Sequence, residues 1–428
     1  MEEDAMSITT DILQAISIGL VVATFLLNTG RGLRAIEVCQ ECLIFLNNGV
    51  LNTGGEIFNF INIRMYRTIF KAYCFIPDYT KALIYGRELL EIYRECSKKD
   101  EEGNLTLEMA KICKQRYRYV EARELYERAV TIMKERRDRK KEAFATKQLG
   151  ITSHCLGDFA IAKEYLEKAL IITIQIGDKK GEGTDYGNLG AVFQSLGEYG
   201  KAKEYHKKAL AIRIQIGDKD GEANSYQNLG TLFKSLGESD KAKEYFEKAL
   251  AIAIQIGDRN GEANSYKNLG IVFQSLGEFH KVKEYFQKAL AISIQTRDKE
   301  EEGRSYGNPG VVFQSLGKYD KAKEYHKKAL AIRIRIGDKE GEATDYGNLG
   351  AMFRSLGEYG KAKEYLEKAL AIRILIGHKE GEAADYRNLG TVFESSVNMS
   401  KLKNILRKHL PSKYKLVTNR EKPLHTGT

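Results

Sequence analysis

The residues able to do chemistry are few. Cys39 and Cys42 have the two-residue gap of a metal or redox pair, but no second pair and no spaced histidines accompany them. Small cysteines in a helix are more often simply buried, which is the reading adopted here. His154 adjoins Cys155, yet neighbours in a helix diverge, so the two do not form an acid–base couple. His206 and His326 fill a slot that is Phe246 or Phe286 elsewhere, which marks packing. Gly200-Lys201 and Gly360-Lys361 lack the upstream glycine and following hydroxyl of a phosphate loop. No triad or paired-carboxylate site is legible, so the expectation is a non-enzyme with no cofactor and no metal.

One polar residue recurs. Asn188 returns as Asn228, Asn268, Asn308, Asn348 and Asn388, each followed by Leu-Gly except that Pro309 follows Asn308. The interval is forty residues. Lys168-Ala169-Leu170 repeats at the same interval, and weaker echoes reach back to Lys81-Ala82. A fixed period of this size marks a stacked array. Within one unit Tyr186, Leu189, Gly190, Phe193 and Leu196 form one helical stripe. Ala202, Tyr205, Ala209, Ile212 and Ile216 form a second. Gly197 and Gly217 stand where each helix must stop, and Asp218 is placed to cap the next.

These positions resemble the tetratricopeptide repeat: Tyr186-x2-Leu189-Gly190-x2-Phe193, then Ala202-x3-His206-x2-Ala209. Tyr stands for the usual Trp, and each unit is six residues longer. The Gly-Asp-x-x-Gly-Glu, Asn-Leu-Gly and Leu-Gly-Glu-Tyr elements are similar to the LGN/Pins G-protein signalling modulators and the tetratricopeptide repeat protein 28 family, over residues 58–396. About thirty residues follow the last repeat and match neither the GoLoco motifs nor the caspase-like domain those families append. The resemblance implies an all-α solenoid of about ten antiparallel helix pairs in a right-handed superhelix. Residues 1–57 would form a divergent pair, 58–400 the array (clearest over 141–396), and 401–428 a basic helix and tail.

Asn188 is turned about 100° from Leu189, onto a stripe with Thr184, Ala191 and Ser195. In the proteins resembled, that stripe lines a concave groove and the asparagine hydrogen-bonds the main chain of an extended peptide. The alternative is a structural bond to the neighbouring helix. Variable positions on the same face, Lys234, Lys267, Arg304, Arg354 and Arg387, with Glu394 as an acidic exception, lean basic and point to an acidic partner peptide; solvated charge is the plainer reading.

The net charge of +10 is concentrated in residues 401–428, whose eight Lys/Arg face one Glu. The array is nearly neutral, which excludes a phosphate-tracking stripe and with it nucleic acid. Six cysteines without a framework suit a reducing compartment, so cytoplasm is expected. Residues 12–27 are apolar, but as a helix they span about 24 Å against a hydrocarbon core of about 30 Å. They read as a buried first helix; a membrane anchor is the lesser expectation. Leu402, Ile405, Leu406 and Leu410 opposed by Lys401, Lys403, Arg407 and Lys408 read as an amphipathic cap on the last repeat, or a docking helix. The function expected is a protein-binding scaffold; self-association and membrane anchoring stay open. Pro309 and Thr296-Arg297 mark one weak unit, with a kink or hinge over 297–310.

Overall fold

The computed structural model describes residues 2–47 and 56–395, all in helices and the short turns between them. The expected amphipathic segment at 401–410 lies outside the described residues. Two units are compact, residues up to 115 with 121–145, and residues 116–120 with 146 onward.

The first unit holds α1 (Glu2–Asn28), α2 (Gly32–Asn47), α3 (Glu56–Phe75), α4 (Tyr79–Glu95), α5 (Lys99–Gln115) and most of α6 (Tyr119–Glu135). Helices α1 with α2, and α3 with α4, pack as pairs. The buried-helix expectation for residues 12–27 holds for one side of α1 only. Ile16, Leu20 and Ala23 are buried there, whereas Ile18, Val21, Val22 and Phe25 are exposed. Among the described residues no helix is long and apolar enough to cross a membrane.

Most of the second unit follows the forty-residue repeat. Its helices are the end of α7 (Arg139–Cys155), α8 (Phe159–Gln175), α9 (Lys179–Ser195), α10 (Tyr199–Gln215), α11 (Lys219–Ser235), α12 (Ser239–Ile256) and α13 (Arg259–Ser275). They continue as α14 (Phe279–Gln295), α15 (Lys299–Ser315), α16 (Tyr319–Ile336), α17 (Lys339–Ser355), α18 (Tyr359–Ile376) and α19 (Lys379–Ser395). Consecutive helices pack antiparallel throughout this run, an all-α tetratricopeptide-like solenoid.

The repeat residues explain why. Leu189, Leu229, Leu269 and Leu349 are wholly buried beside Phe193, Phe233, Phe273 and Phe353. Burying a side chain of this kind contributes about 1.5–3 kcal/mol, repeated in each unit. The glycine after each leucine lets the partner helix close in: a Cβ on Gly190 would meet His206 at 2.5 Å. Gly197 and Gly217 take φ of 76° and 69°, the left-handed region where a Cβ is costly. The buried stripe of the second helix runs through Ala202, His206, Ala209 and Arg213, with Tyr205 and Ile212 at its margins; Ile216, expected in the stripe, is exposed. Asp218 occupies its cap position without a side-chain cap bond, whereas Asp178 accepts from Gly181 N at 2.9 Å.

Helix α15 runs unbroken through Pro309, so the proline neither ends nor divides it. Arg297 takes φ of 55° in place of the missing glycine. The second unit also coils back on itself. Tyr119, one of its residues 116–120, donates to Glu340 at 3.0 Å, and a Cβ on Gly377 would stand 3.3 Å from Leu156.

Candidate functional site

The first helices of successive units lie side by side. His154 Nε2 and Ser195 Oγ are 2.8 Å apart, Gln194 donates to Ser235 at 3.0 Å, and Gln274 to Ser315 at 3.1 Å. Each bond joins residues forty-one apart, so the polar stripes of α7, α9, α11, α13 and α15 make one continuous face. His154 is thereby partnered by the next first helix.

The asparagines sit in register on this face, all half-buried. Asn268 Nδ2 donates to Gln227 at 2.8 Å, the structural bond to a neighbouring helix. Asn188 Nδ2 is buried and has no acceptor among the described residues. A buried donor left unmet costs about 1–3 kcal/mol. Asn228, Asn308, Asn348 and Asn388 make no side-chain hydrogen bond among the described residues. The ladder therefore divides: the Asn268 amide is spent within the fold, the Asn188 amide nitrogen is closed off from solvent, and the other four amides are half-buried with their donors and acceptors uncommitted among the described residues.

The cations divide as well. Lys267 is only 8 % exposed and lies 2.9 Å from Glu301 Oε1, so it holds two units together and does not face a ligand. Burial holds its ammonium below the usual lysine range against the pull of Glu301. Arg304 is exposed, but Glu300 and Glu301 both pair with it. Arg354 Nη1 donates to the Thr391 hydroxyl at 3.0 Å and has no carboxylate partner among the described residues. Arg387 is exposed and Lys234 half-buried, each without a partner among the described residues. Burial pushes the Lys234 ammonium down. Three of the five expected cations thus remain available.

Sequence reading missed a second set of polar residues, buried between units. Arg373 Nε lies 2.8 Å from Asp385, and Arg333 Nε 3.3 Å from Asp345. Burial pushes the Asp345 carboxyl up to about 7 and that of Asp385 to about 6, against the pull of each arginine. Arg213 donates to Ser225 at 2.8 Å, and Lys147 lies 3.0 Å from Asp185. The signal was present as exceptions to the repeat, since these positions change type together from unit to unit. The two early cysteines are buried, and burial, with a smaller contribution from Cys42, pushes the Cys39 thiol up to about 12, which suppresses the thiolate.

A sequence profile described as "Tetratricopeptide repeat" matches residues 101–175, 141–215, 182–255, 221–295 and 301–374. Among solved structures, aspartyl phosphate phosphatase F from Bacillus subtilis superposes with a TM-score of 0.54 at 15 % identity, covering 85 % of this chain and 95 % of that one. The Rap conjugation gene regulator of plasmid pLS20, in complex with the Phr* peptide, gives 0.53 at 15 % identity, over 84 % and 95 %. At such identity the likeness is one of fold. No curated protein sequence matches this chain.

Proposed function

Because this chain belongs to the tetratricopeptide repeat family, we propose that it is a protein-binding scaffold that holds an extended peptide along the first-helix face of its second unit. The observation that carries this reading is the asparagine ladder, half-buried amides in register on the first helices, of which Asn228, Asn308, Asn348 and Asn388 make no side-chain hydrogen bond among the described residues. An amide at every unit matches the main chain of an extended peptide, which offers donors and acceptors whatever its side chains. The Rap regulator, of similar fold, was solved with a peptide bound, which agrees with this use. The scaffold binds and does not catalyse, works in the cytoplasm, and selects among peptides through Lys234, Arg354 and Arg387. Kinship with the LGN/Pins and repeat protein 28 groups rests on the repeat elements alone.

Selection of displayed random dodecapeptides on the full chain tests the reading. Peptides so found should bind with affinity on the order of micromolar, since each hydrogen bond contributes only about 0.5–1.5 kcal/mol net. Joint replacement of Asn188, Asn228 and Asn348 by Ala should weaken them at least about tenfold with helicity intact. Equal binding by the triple variant would remove the ladder from the mechanism.

Self-association is a second reading, favoured by the exposed apolar patch of Ile18, Val21 and Phe25 on one side of α1. Light scattering on the parent and on Phe25→Glu distinguishes it: an oligomer that the substitution dissolves supports it, and a monomeric parent excludes it.

A further inference from the structure

Departures from the repeat converge at one joint. Pro309 replaces the buried leucine of the other clear units. Beside its shorter ring lies an apolar cavity of about 140 Å³, open to the surface and bounded by α14, α15 and α16, its walls formed by Val282, Phe286, Leu290, Pro309, Val312 and Phe313. Val282 stands where other units have alanine (Ala202, Ala242, Ala322, Ala362), beside a wider helix pair. A Cβ on Gly270 would clear Phe286 by 3.2 Å, against 2.6 Å between Gly230 and Phe246.

The charges at this joint also depart from the repeat. Lys318, which lines the cavity and is exposed, replaces the glutamate found at Glu198, Glu278 and Glu358. Those glutamates hold Lys201, Lys281 and Lys361 at 2.6, 2.5 and 2.5 Å. Lys283, also lining and exposed, faces Gln287, where Lys163 and Lys363 have Glu167 at 3.9 Å and Glu367 at 3.6 Å. Neither Lys283 nor Lys318 has an ion-pair partner among the described residues. The result is an apolar hole rimmed by two uncompensated ammonium groups.

Apolar cavities of about 150 Å³ stay dry and take up benzene-sized molecules. Water has little to bond to here, and a hydrocarbon alone would leave the lysines unused. We propose that this joint binds a small amphipathic carboxylic acid, with an aryl or short alkyl body in the cavity and its carboxylate between Lys283 and Lys318. The site is separate from the asparagine face and does not depend on it.

Calorimetric titration of the full chain with 3-phenylpropionate, and with the neutral 3-phenylpropanol, tests the proposal. The acid should bind with a Kd of about 1 mM or tighter, and the alcohol at least about fivefold more weakly. Lys318→Glu should remove that preference by weakening the acid alone. Pro309→Leu, which restores the repeat residue, should abolish both. If that variant fails to fold, Val312→Met fills the same space with the residue found at Met352. Absence of binding at about 5 mM acid, binding retained when the cavity is filled, or an acid affinity indifferent to Lys318→Glu would each overturn the proposal.

Discussion

Arg333 lies against Gly307: a Cβ on that glycine would stand 3.4 Å from Arg333 Nη2. The same pairing holds at Gly187 with Arg213. Gly347 with Arg373 repeats it in sequence. Where the first position is instead long, as at Lys147, Gln227 and Lys267, the partner twenty-six residues on is small: Thr173, Ala253 and Ser293. Each joint thus receives one long polar side chain, from one helix or the other, opposite a buried acceptor on the next first helix. Two would overfill the space and none would leave the acceptor unmet.

Gly307→Lys should therefore destabilise the chain by about 1–3 kcal/mol through overpacking. Arg333→Thr should do so by stranding Asp345. Together they recreate the Lys147–Thr173–Asp185 arrangement, so the double variant should recover most of both losses. Urea denaturation of the four proteins closes the cycle; a coupling below about 0.5 kcal/mol would show the two sites independent.

His206 gives a pH-dependent prediction. Burial, aided by the Arg213 charge, holds its imidazole down to about 4. The unfolded chain then takes up a proton that the native one refuses as pH falls from about 6.5 to about 4, so stability is lost across that window. The full difference is about 3 kcal/mol. His206→Phe, the residue at Phe246, removes the liability, so its advantage over the parent in urea should grow by that amount from pH 7 to pH 4. A constant advantage would mean that the histidine is protonated in the native state.

The helices and their order were legible because the apolar stripe, the close-approach glycine and the turn glycine recur together in most units from residue 141 onward. The charged face was not, because Lys267 and Lys234 look alike in sequence. What distinguishes them is Glu301, which stands where the other units have Gly181, Gly221, Gly261, Gly341 or Gly381 and supplies Lys267 with a buried partner. A pairing across thirty-four positions becomes visible only when the units are stacked. Pro309 does not interrupt α15, because neighbours on both sides hold the helix across the missing donor.

Salt dependence should follow the same division. If Lys234, Arg354 and Arg387 select acidic peptides, affinity should fall as ionic strength rises, because screening shortens from about 10 Å at 0.1 M to about 3 Å at 1 M. Replacing all three by Gln should flatten that slope. Lys267→Ala should leave affinity unchanged yet lower stability, by less than the about 3–5 kcal/mol of a fully broken buried pair because Arg304 still faces Glu301. An affinity loss in Lys267→Ala at constant stability would reverse the assignment.

The joint at Pro309 should be the weakest of the array. Proline removes the donor to the Ser305 carbonyl, costing about 3 kcal/mol or more inside a helix. The proline ring has about one carbon fewer than the leucine it replaces, which adds a packing deficit of about 1 kcal/mol. At the entrance Arg297 holds φ of 55°, a left-handed conformation that costs a side chain about 1 kcal/mol relative to glycine. Array stability is a sum of unit and neighbour terms, so these deficits act locally and lower the cost of opening between the flanking units. Hydrogen exchange should be faster in α15 than in α11 or α17. Pro309→Leu should stabilise by about 2–4 kcal/mol, part of the ideal gain being lost to the Val282 wedge. Arg297→Gly should add about 1 kcal/mol independently, the two sites being twelve residues apart and at different ends of the defect. Equal protection in α11, α15 and α17, or a Pro309→Leu protein that melts with its parent, would show that the unit carries the proline without penalty.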